Sequence, residues 1–284
     1  MTTYLITGAT GGYGSKVLEI LASKVDKKDI YALVRSEEKG AELKRLGFNL
    51  RIADYDNKAD LEKAFEGIDK VLFVSGSVPG ARQAQHRNVI EAAQAAGVGY
   101  IAYTSLAGLD TVAADFPLGD DHRFTEQLLS ESGLAYTALR NNWYLENELP
   151  LIEAALKTGQ FVHYAGSQEA AWVSRDDLAE AGANMLLSDN PAQIVELSGE
   201  NRTYADIFQA AKEVTGADMT LVEANQGAVV ENFTATGMEQ ELAEMLAGFQ
   251  GAIAGGFLIA EKSDLETVLG RPQTPIIDSL KELL

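Results

Sequence analysis

The chain opens with closely spaced glycines whose pattern suits the binding of a phosphate group. Gly8, Gly11, Gly12 and Gly14 stand between a short apolar segment and a segment whose apolar residues recur at helical spacing. In such a turn the bare main chain approaches a pyrophosphate closely, and the positive end of the helix dipole attracts its charge. The pattern predicts a strand, a glycine turn and a helix that bind a dinucleotide. The alternative is a tight turn without a ligand, because Gly-x-x-Gly-x-x-Gly departs from the more common G-x-G-x-x-G.

A second indication comes from the residue that ends the next predicted strand. The segment Ile30–Val34 has the composition of a strand, and Arg35 follows it, 21 residues after Gly14. An NAD site usually carries an acidic residue at about this place, which binds the ribose 2′-hydroxyl. A guanidinium instead suits a 2′-phosphate by its charge and its geometry. We therefore expect NADP(H) as the cofactor, with a solvated arginine at the end of a strand as the alternative.

Polar and small residues also follow the next strands. Asp54 comes just after the strand predicted at Asn49–Ile52, where its carboxylate would accept a hydrogen bond from adenine or would serve as a turn or helix-cap residue. Small residues after the fourth strand fit the passage of a cofactor or an ordinary turn. The predicted cofactor-binding residues are Gly8, Thr10, Gly11, Gly12, Tyr13, Gly14, Arg35, Asp54, Ser75, Gly76, Ser77, Thr104 and Ser105.

The elements that position these residues repeat as strand and helix. Six such strand–helix units with short connections run from the first strand to Leu139. This order predicts an α/β fold, a Rossmann-type doubly wound parallel sheet with its ligand at the carboxyl ends of the strands. We expect an NADP-binding domain at residues 1–148, to which later segments could return. A smaller C-terminal α/β lobe at 149–284, carrying substrate or lid functions, would follow.

Composition excludes several functions. The 284 residues contain no cysteine and only three histidines, so thiolate catalysis and a cysteine site are excluded and a histidine metal site is disfavoured; we predict no metal. The net charge of −19 opposes nucleic-acid and anionic-membrane partners. No apolar run approaches the ~20 residues that cross a bilayer, and no leader pattern opens the chain. We expect a cytoplasmic protein and leave a homo-oligomer open.

Several segments together resemble one known family. They are GATGGYG at 8–14, Leu33-Val-Arg35, Gln85–Ile90, Tyr103-Thr-Ser105, His122-x-x-x-Glu126, Leu139-Arg-Asn-Asn-Trp-Tyr144 and Trp172–Leu178. With these segments the chain resembles the NmrA-like branch of the atypical short-chain dehydrogenases/reductases, and within it the type 2 NAD(P)H:quinone oxidoreductases. The likeness runs nearly the whole length. The glycine motif is shared by many enzymes, whereas the segment 139–144 is much narrower.

The resemblance implies the reaction and its residues. It implies a Rossmann-type domain, a small C-terminal lobe and NADPH at the glycine turn, with Arg35 on the 2′-phosphate side. It also implies a quinone beside Asn141, Asn142, Trp143 and Tyr144. The wider superfamily uses a Tyr-x-x-x-Lys pair to move a proton, and this chain has His122-Arg-Phe-Thr-Glu126 where that pair is expected. Alcohol–ketone chemistry by the usual tyrosine is therefore disfavoured.

A quinone needs less catalytic help than a ketone. Hydride transfer gives an aromatic, weakly basic hydroquinone anion, so the protein has mainly to hold donor and acceptor in place. We expect Asn141 or Asn142 to donate a hydrogen bond to a quinone oxygen, and Trp143 or Tyr144 to pack against the ring unless they are core residues.

The proton donor and the biological role stay open at this point. His122 would protonate a product oxygen or would pair with Glu126, which lies four residues later on the same helical face. The missing Tyr-x-x-x-Lys pair equally suits an NADP-binding redox sensor without turnover. A third possibility is an NADPH reductase of another conjugated carbonyl compound.

Overall fold

The computed structural model describes residues 1–78, 80–111 and 117–284, without the side chains at positions 117 and 118. The strands among them are β1 (Tyr4–Ile6), β2 (Ile30–Val34), β3 (Asn49–Ile52), β4 (Lys70–Phe73), β5 (Tyr100–Leu106), β6 (Ala135–Asn141), β7 (Gln160–His163), β8 (Glu169–Ala170), β9 (Ile194–Leu197), β10 (Arg202–Thr203) and β11 (Thr220–Glu223). The helices are α1 (Gly12–Lys24), α2 (Ala41–Arg45), α3 (Lys58–Phe65), α4 (Arg82–Ala96), α5 (Pro117–Glu131), α6 (Leu149–Thr158), α7 (Arg175–Leu187), α8 (Tyr204–Thr215), α9 (Gln226–Thr234), α10 (Gln240–Ala254), α11 (Leu265–Leu269) and α12 (Ile276–Leu283).

The main sheet has the strand order β3-β2-β1-β4-β5-β6-β9, and all its neighbouring strands are parallel. Chain order reverses between β1 and β4, so a crevice opens there at the carboxyl ends of the strands. The predicted Rossmann-type fold is confirmed. The strand β9, which lies in the stretch assigned from the sequence to the second lobe, is the seventh strand of this sheet.

The core of this sheet follows from its central strands. Every residue of β1 and every residue of β5 is buried. Strands covered on both faces read as continuous apolar runs, as expected for a parallel sheet with helices on either side. On one face, Phe65, Val89 and Phe73 belong to a buried cluster that joins α3 and α4 to the strands.

The chain divides into two compact units. The first comprises residues 1–141, 176–197 and 264–270, and the second comprises 142–175, 198–263 and 271–284. The first unit therefore contains the main sheet. The assignment of cofactor binding to residues 1–148 and of substrate or lid functions to 149–284 stays a prediction.

The second unit contains two small sheets and several helices. β7 and β11 form a parallel pair, and β8 and β10 form an antiparallel pair. The helix α8 begins with a capping box in which Thr203 and Asp206 each bind the other's main chain. The helix α9 has no counterpart in the sequence analysis. Its interior glycine and adjacent valines lower helix propensity, while packing against β7 and α6 stabilises it.

Within the part of the chain that the structure describes, no helix combines the length and the apolar character that crossing a bilayer requires.

Candidate active site

The glycine turn between β1 and α1 has the geometry that its sequence predicts. Gly8 has a φ of +58°, a region that favours glycine, and its carbonyl accepts a hydrogen bond from the Gly11 N–H at 2.9 Å. A Cβ on Gly14 would lie 2.4 Å from the Gly8 oxygen. Gly14 therefore allows α1 to pack closely on the end of β1, which is the role of the last glycine in dinucleotide-binding turns.

The first turn of α1 is left open toward an anion. Gly11 occupies the N-cap and has no side chain to cap the helix, and residues 12–15 carry no acidic group. The N–H groups of this first turn and the positive end of the helix dipole therefore lie beside the glycine turn without a competing acidic side chain.

A cavity of about 320 Å³ opens at the carboxyl ends of β1, β2 and β4, within the first unit. This is the crevice at which the strand order reverses, where doubly wound sheets bind ligands. Its lining residues are Gly8, Thr10, Gly11, Leu33, Val34, Arg35, Lys39, Ala53, Asp54, Tyr55, Val74, Ser75, Gly76, Ser77, Val78 and Gln85. Eight of the predicted cofactor-binding residues lie in this lining: Gly8, Thr10, Gly11, Arg35, Asp54, Ser75, Gly76 and Ser77.

One end of the cavity is cationic. Arg35 and Lys39 both line it and are exposed, and among the described residues neither forms an ion pair. Lys39 was not predicted, although it lies only four residues beyond Arg35. Two unpaired cations at the end of β2 suit a phosphate better than they suit a 2′-hydroxyl.

Asp54 lines the same cavity and also shapes a turn. Its Oδ1 accepts the Asp56 N–H at 3.1 Å, while Asn57 caps α3 by accepting the Asp60 N–H. The cap interpretation of Asp54 is therefore wrong, and the turn interpretation holds together with its place in the cavity.

The remaining predicted cofactor residues are not among those that line the cavity. Tyr13 is buried and donates a hydrogen bond to the Leu178 carbonyl at 3.0 Å, and the Ser105 hydroxyl donates to Glu126 Oε1. Thr104 Oγ1 accepts the N–H of the lining residue Ser75 at 2.8 Å, so Thr104 holds this part of the wall. Gly12, as the first residue of α1, and Gly14 contribute to the turn through their main chain.

The main chain of Gly76 is held on both sides by α4. His86 Nε2 accepts the Gly76 N–H at 2.9 Å, and Arg82 Nε donates to the Gly76 carbonyl at 2.6 Å. Because Nε2 is an acceptor, the proton of His86 lies on Nδ1, which donates to Thr125 Oγ1 at 2.8 Å. Burial, with smaller contributions from His122 and Arg82, lowers the pKa of His86 to about 3. This structural role of His86 could not be located from the sequence, because only the fold shows what α4 faces.

His122 lies in a buried place near the end of β5. Its Nδ1 is 2.7 Å from the hydroxyl of Tyr103, and burial together with the charge of Arg82 lowers its pKa to about 3. The predicted pairing with Glu126 is wrong, because Glu126 accepts hydrogen bonds from Ser105 and from Arg140 instead. A neutral imidazole at pH 7 is a weak proton donor, so its predicted catalytic role is disfavoured.

Arg140 links the ends of three elements through carboxylates. It is buried and lies 2.8 Å from Glu126 on α5, 2.9 Å from Glu196 on β9 and 2.8 Å from Asp110. Burial opposes the charge of Arg140, but the hydrogen bonds that it donates to Glu126 and Asp110 outweigh this effect and raise its pKa. The next residue is Asn141, so this cluster fixes the end of β6 immediately before the predicted substrate segment.

Asn141 and Asn142 are both buried, and their main chains belong to different units. In the first unit, Asn141 ends β6 and its carbonyl accepts the Ala107 N–H. In the second unit, Asn142 Oδ1 accepts the Trp143 N–H at 2.7 Å, and its Nδ2 donates to Ser198 Oγ at 3.1 Å. The Asn142 side chain therefore helps to fix the main chain at Trp143.

The two aromatic residues that follow belong to the second unit. Trp143 is buried and packs edge-on against Phe249, with ring centroids 5.5 Å apart. Tyr144 bridges to Val173, and the guanidinium of Arg175 lies 5.6 Å from its ring. Trp143 is thus largely a packed residue, as one interpretation of the sequence allowed.

Across residues 1–78, 80–111 and 117–284, no group of three or more His, Asp or Glu side chains is arranged to hold a metal ion.

Comparison with known proteins gives consistent matches. The sequence profile of the NAD(P)H-binding family matches residues 8–189. Quinone oxidoreductase 2 of Escherichia coli (strain K12) is 38% identical over 280 residues, covering 98% of this chain and 97% of that protein. An NmrA-like family domain-containing oxidoreductase of Aspergillus flavus is 30% identical over 293 residues, covering 99% and 94%. The crystal structure of the E. coli NADPH-dependent quinone oxidoreductase complexed with NADPH matches with a TM-score of 0.90 at 36% identity, over 99% of both chains.

Proposed function

The chain belongs to the NAD(P)H-binding family, as an NmrA-like oxidoreductase, and on that premise we propose that it is an NADPH-dependent reductase that transfers hydride to a quinone. The observation that carries the proposal is the cavity at the switch point of the sheet, with the glycine turn at one side and two cations at one end. A cavity of this chemistry suits NADPH, the cofactor present in the structure of the related quinone oxidoreductase.

The residues of the cavity fit the adenosine 2′-phosphate half of NADPH. The N–H groups at the start of α1 bind the pyrophosphate, and a side chain at Gly11 would point into this space. Arg35 and Lys39 bind the 2′-phosphate, and Asp54 accepts a hydrogen bond from adenine. The wall of Ser75, Gly76 and Ser77 stays in place because α4 holds it.

NADPH, when bound, supplies the hydride, and the quinone leaves as hydroquinone. The protein residues have to orient the acceptor, and we assign this to Asn141, Asn142, Trp143 and Tyr144, the segment that follows β6. Asn142 Nδ2 carries a second hydrogen beyond the one given to Ser198, and this hydrogen is the donor that we assign to a quinone oxygen.

The protein's own acid groups favour an acceptor that needs no strong acid. His122 is neutral at pH 7, and burial raises the pKa of Tyr103, its partner, well above its ordinary value. A hydroquinone anion is weakly basic, so water is sufficient to protonate it. A simple ketone would give a strongly basic alkoxide and would need a positioned acid.

The test is the consumption of NADPH with a panel of quinones and aldehydes. We expect oxidation of NADPH that depends on an added quinone, with little turnover of aldehydes. Tight NADPH binding without turnover of any acceptor would contradict the proposal and would indicate the redox-sensor alternative. Turnover of conjugated carbonyl compounds but not of quinones would indicate the third alternative.

A variant tests the substrate segment within the same assay. We expect Asn142→Ala to lower kcat/KM for quinone with little change in NADPH affinity, since the cavity lining lies in the other unit. Unchanged quinone turnover would remove Asn142 from the mechanism. A cytosolic location, the absence of nucleic-acid and membrane partners, and the oligomeric state stay predictions.

A further inference from the structure

The second unit buries a carboxylate that the proposed reaction does not use. Glu148 ends a short 3₁₀ turn, Leu145–Glu148, and is 4% exposed. Its Oε1 accepts the indole N–H of Trp143 and the indole N–H of Trp172, each at 3.0 Å. Its Oε2 lies 3.1 Å from the hydroxyl of Tyr204. One buried side chain thus binds both tryptophans of the chain.

The two indole N–H groups need a hydrogen-bond acceptor at Oε1, and they do not need a negative charge there. An indole N–H only donates, so two indoles directed at one oxygen require that oxygen to carry no proton. Burial raises the pKa of Glu148, although the hydrogen bonds from Trp172, Trp143 and Tyr204 oppose this shift. A glutamine in the same place would offer an amide oxygen to both indoles and an NH₂ group to the tyrosine hydroxyl.

The bond to Glu148 determines how Trp143 is presented. With its N–H fixed, the Trp143 ring has one orientation, and its edge meets Phe249 at an interplanar angle of 72°. Phe249 is 39% exposed, and Leu242 and Met245 on the same face of α10 are also exposed. Trp143 therefore supports an apolar surface of the kind that binds a flat ring.

We propose that Glu148 is a positioning residue, whose Oε1 fixes the Trp143 indole in the orientation that receives the quinone ring. The inference rests on the proposed function, because it takes the acceptor to be a flat apolar ring. Glu148 acts only through Trp143. Trp172 and Tyr204 complete its hydrogen bonds.

The first experiment observes Trp143 directly. In a Trp172→Phe background, Trp143 is the sole tryptophan, so intrinsic fluorescence reports on this ring alone. We expect Glu148→Leu in that background to lower the fluorescence anisotropy and to increase quenching by acrylamide, because the indole loses its acceptor. Glu148→Gln should restore both values. If Glu148→Leu does not fold, Glu148→Asp, which withdraws the acceptor by one methylene, takes its place.

The second experiment measures steady-state kinetics with 1,4-naphthoquinone. Misplacement of an orienting group by about 1 Å costs up to ~100-fold in rate, so we expect Glu148→Leu to lower kcat/KM for the quinone by roughly tenfold or more. The Kd for NADPH should not change. Glu148→Gln should stay within about twofold of the unchanged protein, since it keeps the acceptor. Tyr204→Phe is the matched control, because it removes the hydrogen bond that the tyrosine donates to Oε2 and keeps the acceptor of Trp143, Oε1; its kinetics should stay within about twofold.

The outcomes separate this inference from the function on which it rests. Unchanged anisotropy in Glu148→Leu would overturn the inference, as would a loosened Trp143 with unchanged quinone kinetics. Equal losses in Glu148→Gln and Glu148→Leu would show that charge, and not the acceptor, matters, and would also overturn it. If the unchanged protein turns over no quinone, the proposed function fails, while the fluorescence still shows whether Glu148 fixes Trp143.

Discussion

Two glycines of the same turn should respond differently to one added methyl group. Gly14 meets the backbone of the turn, since a Cβ there would lie 2.4 Å from the Gly8 oxygen and 2.8 Å from the Gly8 carbon. Ordinary contact needs at least 3.4 Å to that oxygen, so α1 would have to move by about 1 Å. The contact is with backbone, which has no rotamer to change.

The magnitude for Gly14→Ala follows from this overlap. Overpacking of a close contact costs about 1–3 kcal/mol, and the displaced Gly8 carbonyl would also weaken its hydrogen bond with Gly11, which adds about 1 kcal/mol. We expect the free energy of unfolding to fall by about 2–4 kcal/mol and the Tm to fall by roughly 3–7 °C, because the unfolding entropy of a 284-residue chain is about 0.6 kcal/mol/K at the Tm. NADPH binding should weaken as well, because the turn is distorted.

Gly11→Ala is the matched variant. Gly11 has a φ of −85° and a ψ of 163°, which alanine adopts freely, and its Cβ would meet only the Gly8 oxygen, at 3.3 Å. Stability should change by less than about 1 kcal/mol. The methyl group would enter the cavity where we place the pyrophosphate, so we expect Kd for NADPH to rise at least about tenfold, or 1.4 kcal/mol.

The assay combines thermal unfolding without cofactor and calorimetric titration with NADPH, on both variants and the unchanged protein. The expected pattern is a large loss of stability in Gly14→Ala and a selective loss of affinity in Gly11→Ala. An unchanged Tm in Gly14→Ala would refute the close approach as a constraint. Unchanged NADPH affinity in Gly11→Ala would refute the assignment of this turn to the pyrophosphate.

Three further predictions concern charged groups of the first unit. Arg35→Ala should raise Kd for NADPH by about tenfold to a hundredfold with little effect on NADH, because a charge-assisted contact is worth about 1.5–3 kcal/mol; titration with both cofactors measures this. The pKa of His122 is lowered from 6.5 to about 3, so between these pH values the unfolded chain binds more protons than the folded chain does. The free energy of unfolding contributed by neutral His122 is therefore lost as the pH falls. His122→Asn should reduce this loss when urea unfolding at pH 5 and pH 7 is compared. Arg140→Met would leave Glu126 and Glu196, with side chains 12% and 7% exposed, as unpaired buried carboxylates, and urea unfolding should show a loss of about 3–5 kcal/mol. A smaller loss would mean that the carboxylates become protonated or hydrated.

Much of the first unit could be predicted because its signals are local. The bounds of β2 and β3 agree with the strands predicted at Ile30–Val34 and Asn49–Ile52, since short apolar runs define them. The place of β9 beside β6 depends on a pairing between segments separated by more than fifty residues. The apolar pattern of either strand alone does not indicate which strand it pairs with.

The same distinction applies to the cavity. Gly8, Arg35 and Ser75 follow strands, and parallel strands bring their carboxyl ends to one edge of the sheet, so their common place was predictable. Lys39 and Gln85 come from a loop and a helix, whose orientation depends on packing. Gln85 opens one of the segments that carry the family resemblance, but nothing in that segment or around Lys39 predicts that these side chains line the cavity.

The spacing of His122 and Glu126 shows why a correct pattern can give a wrong contact. Four residues apart on α5, they share a face, as expected. Glu126 nevertheless binds Arg140 and Ser105, because a guanidinium and a hydroxyl from neighbouring strands reach it. Helical spacing predicts which side chains lie near each other on the helix. Which partner each side chain binds depends also on the residues of the strands on which the helix packs.

The protonation states and partners of His86, His122 and Glu126 bear on the reaction. His86 and His122 are neutral at pH 7 because they are buried, and each makes hydrogen bonds that use its neutral form. Glu126 is occupied by Arg140. Within the described part of the first unit, the groups around α5 therefore hold structure and are poorly suited to release a proton at neutral pH. Because these residues position other groups and do not supply a proton, the site favours an acceptor whose reduced form is a weak base. This is the chemical reason to prefer a quinone to a simple ketone.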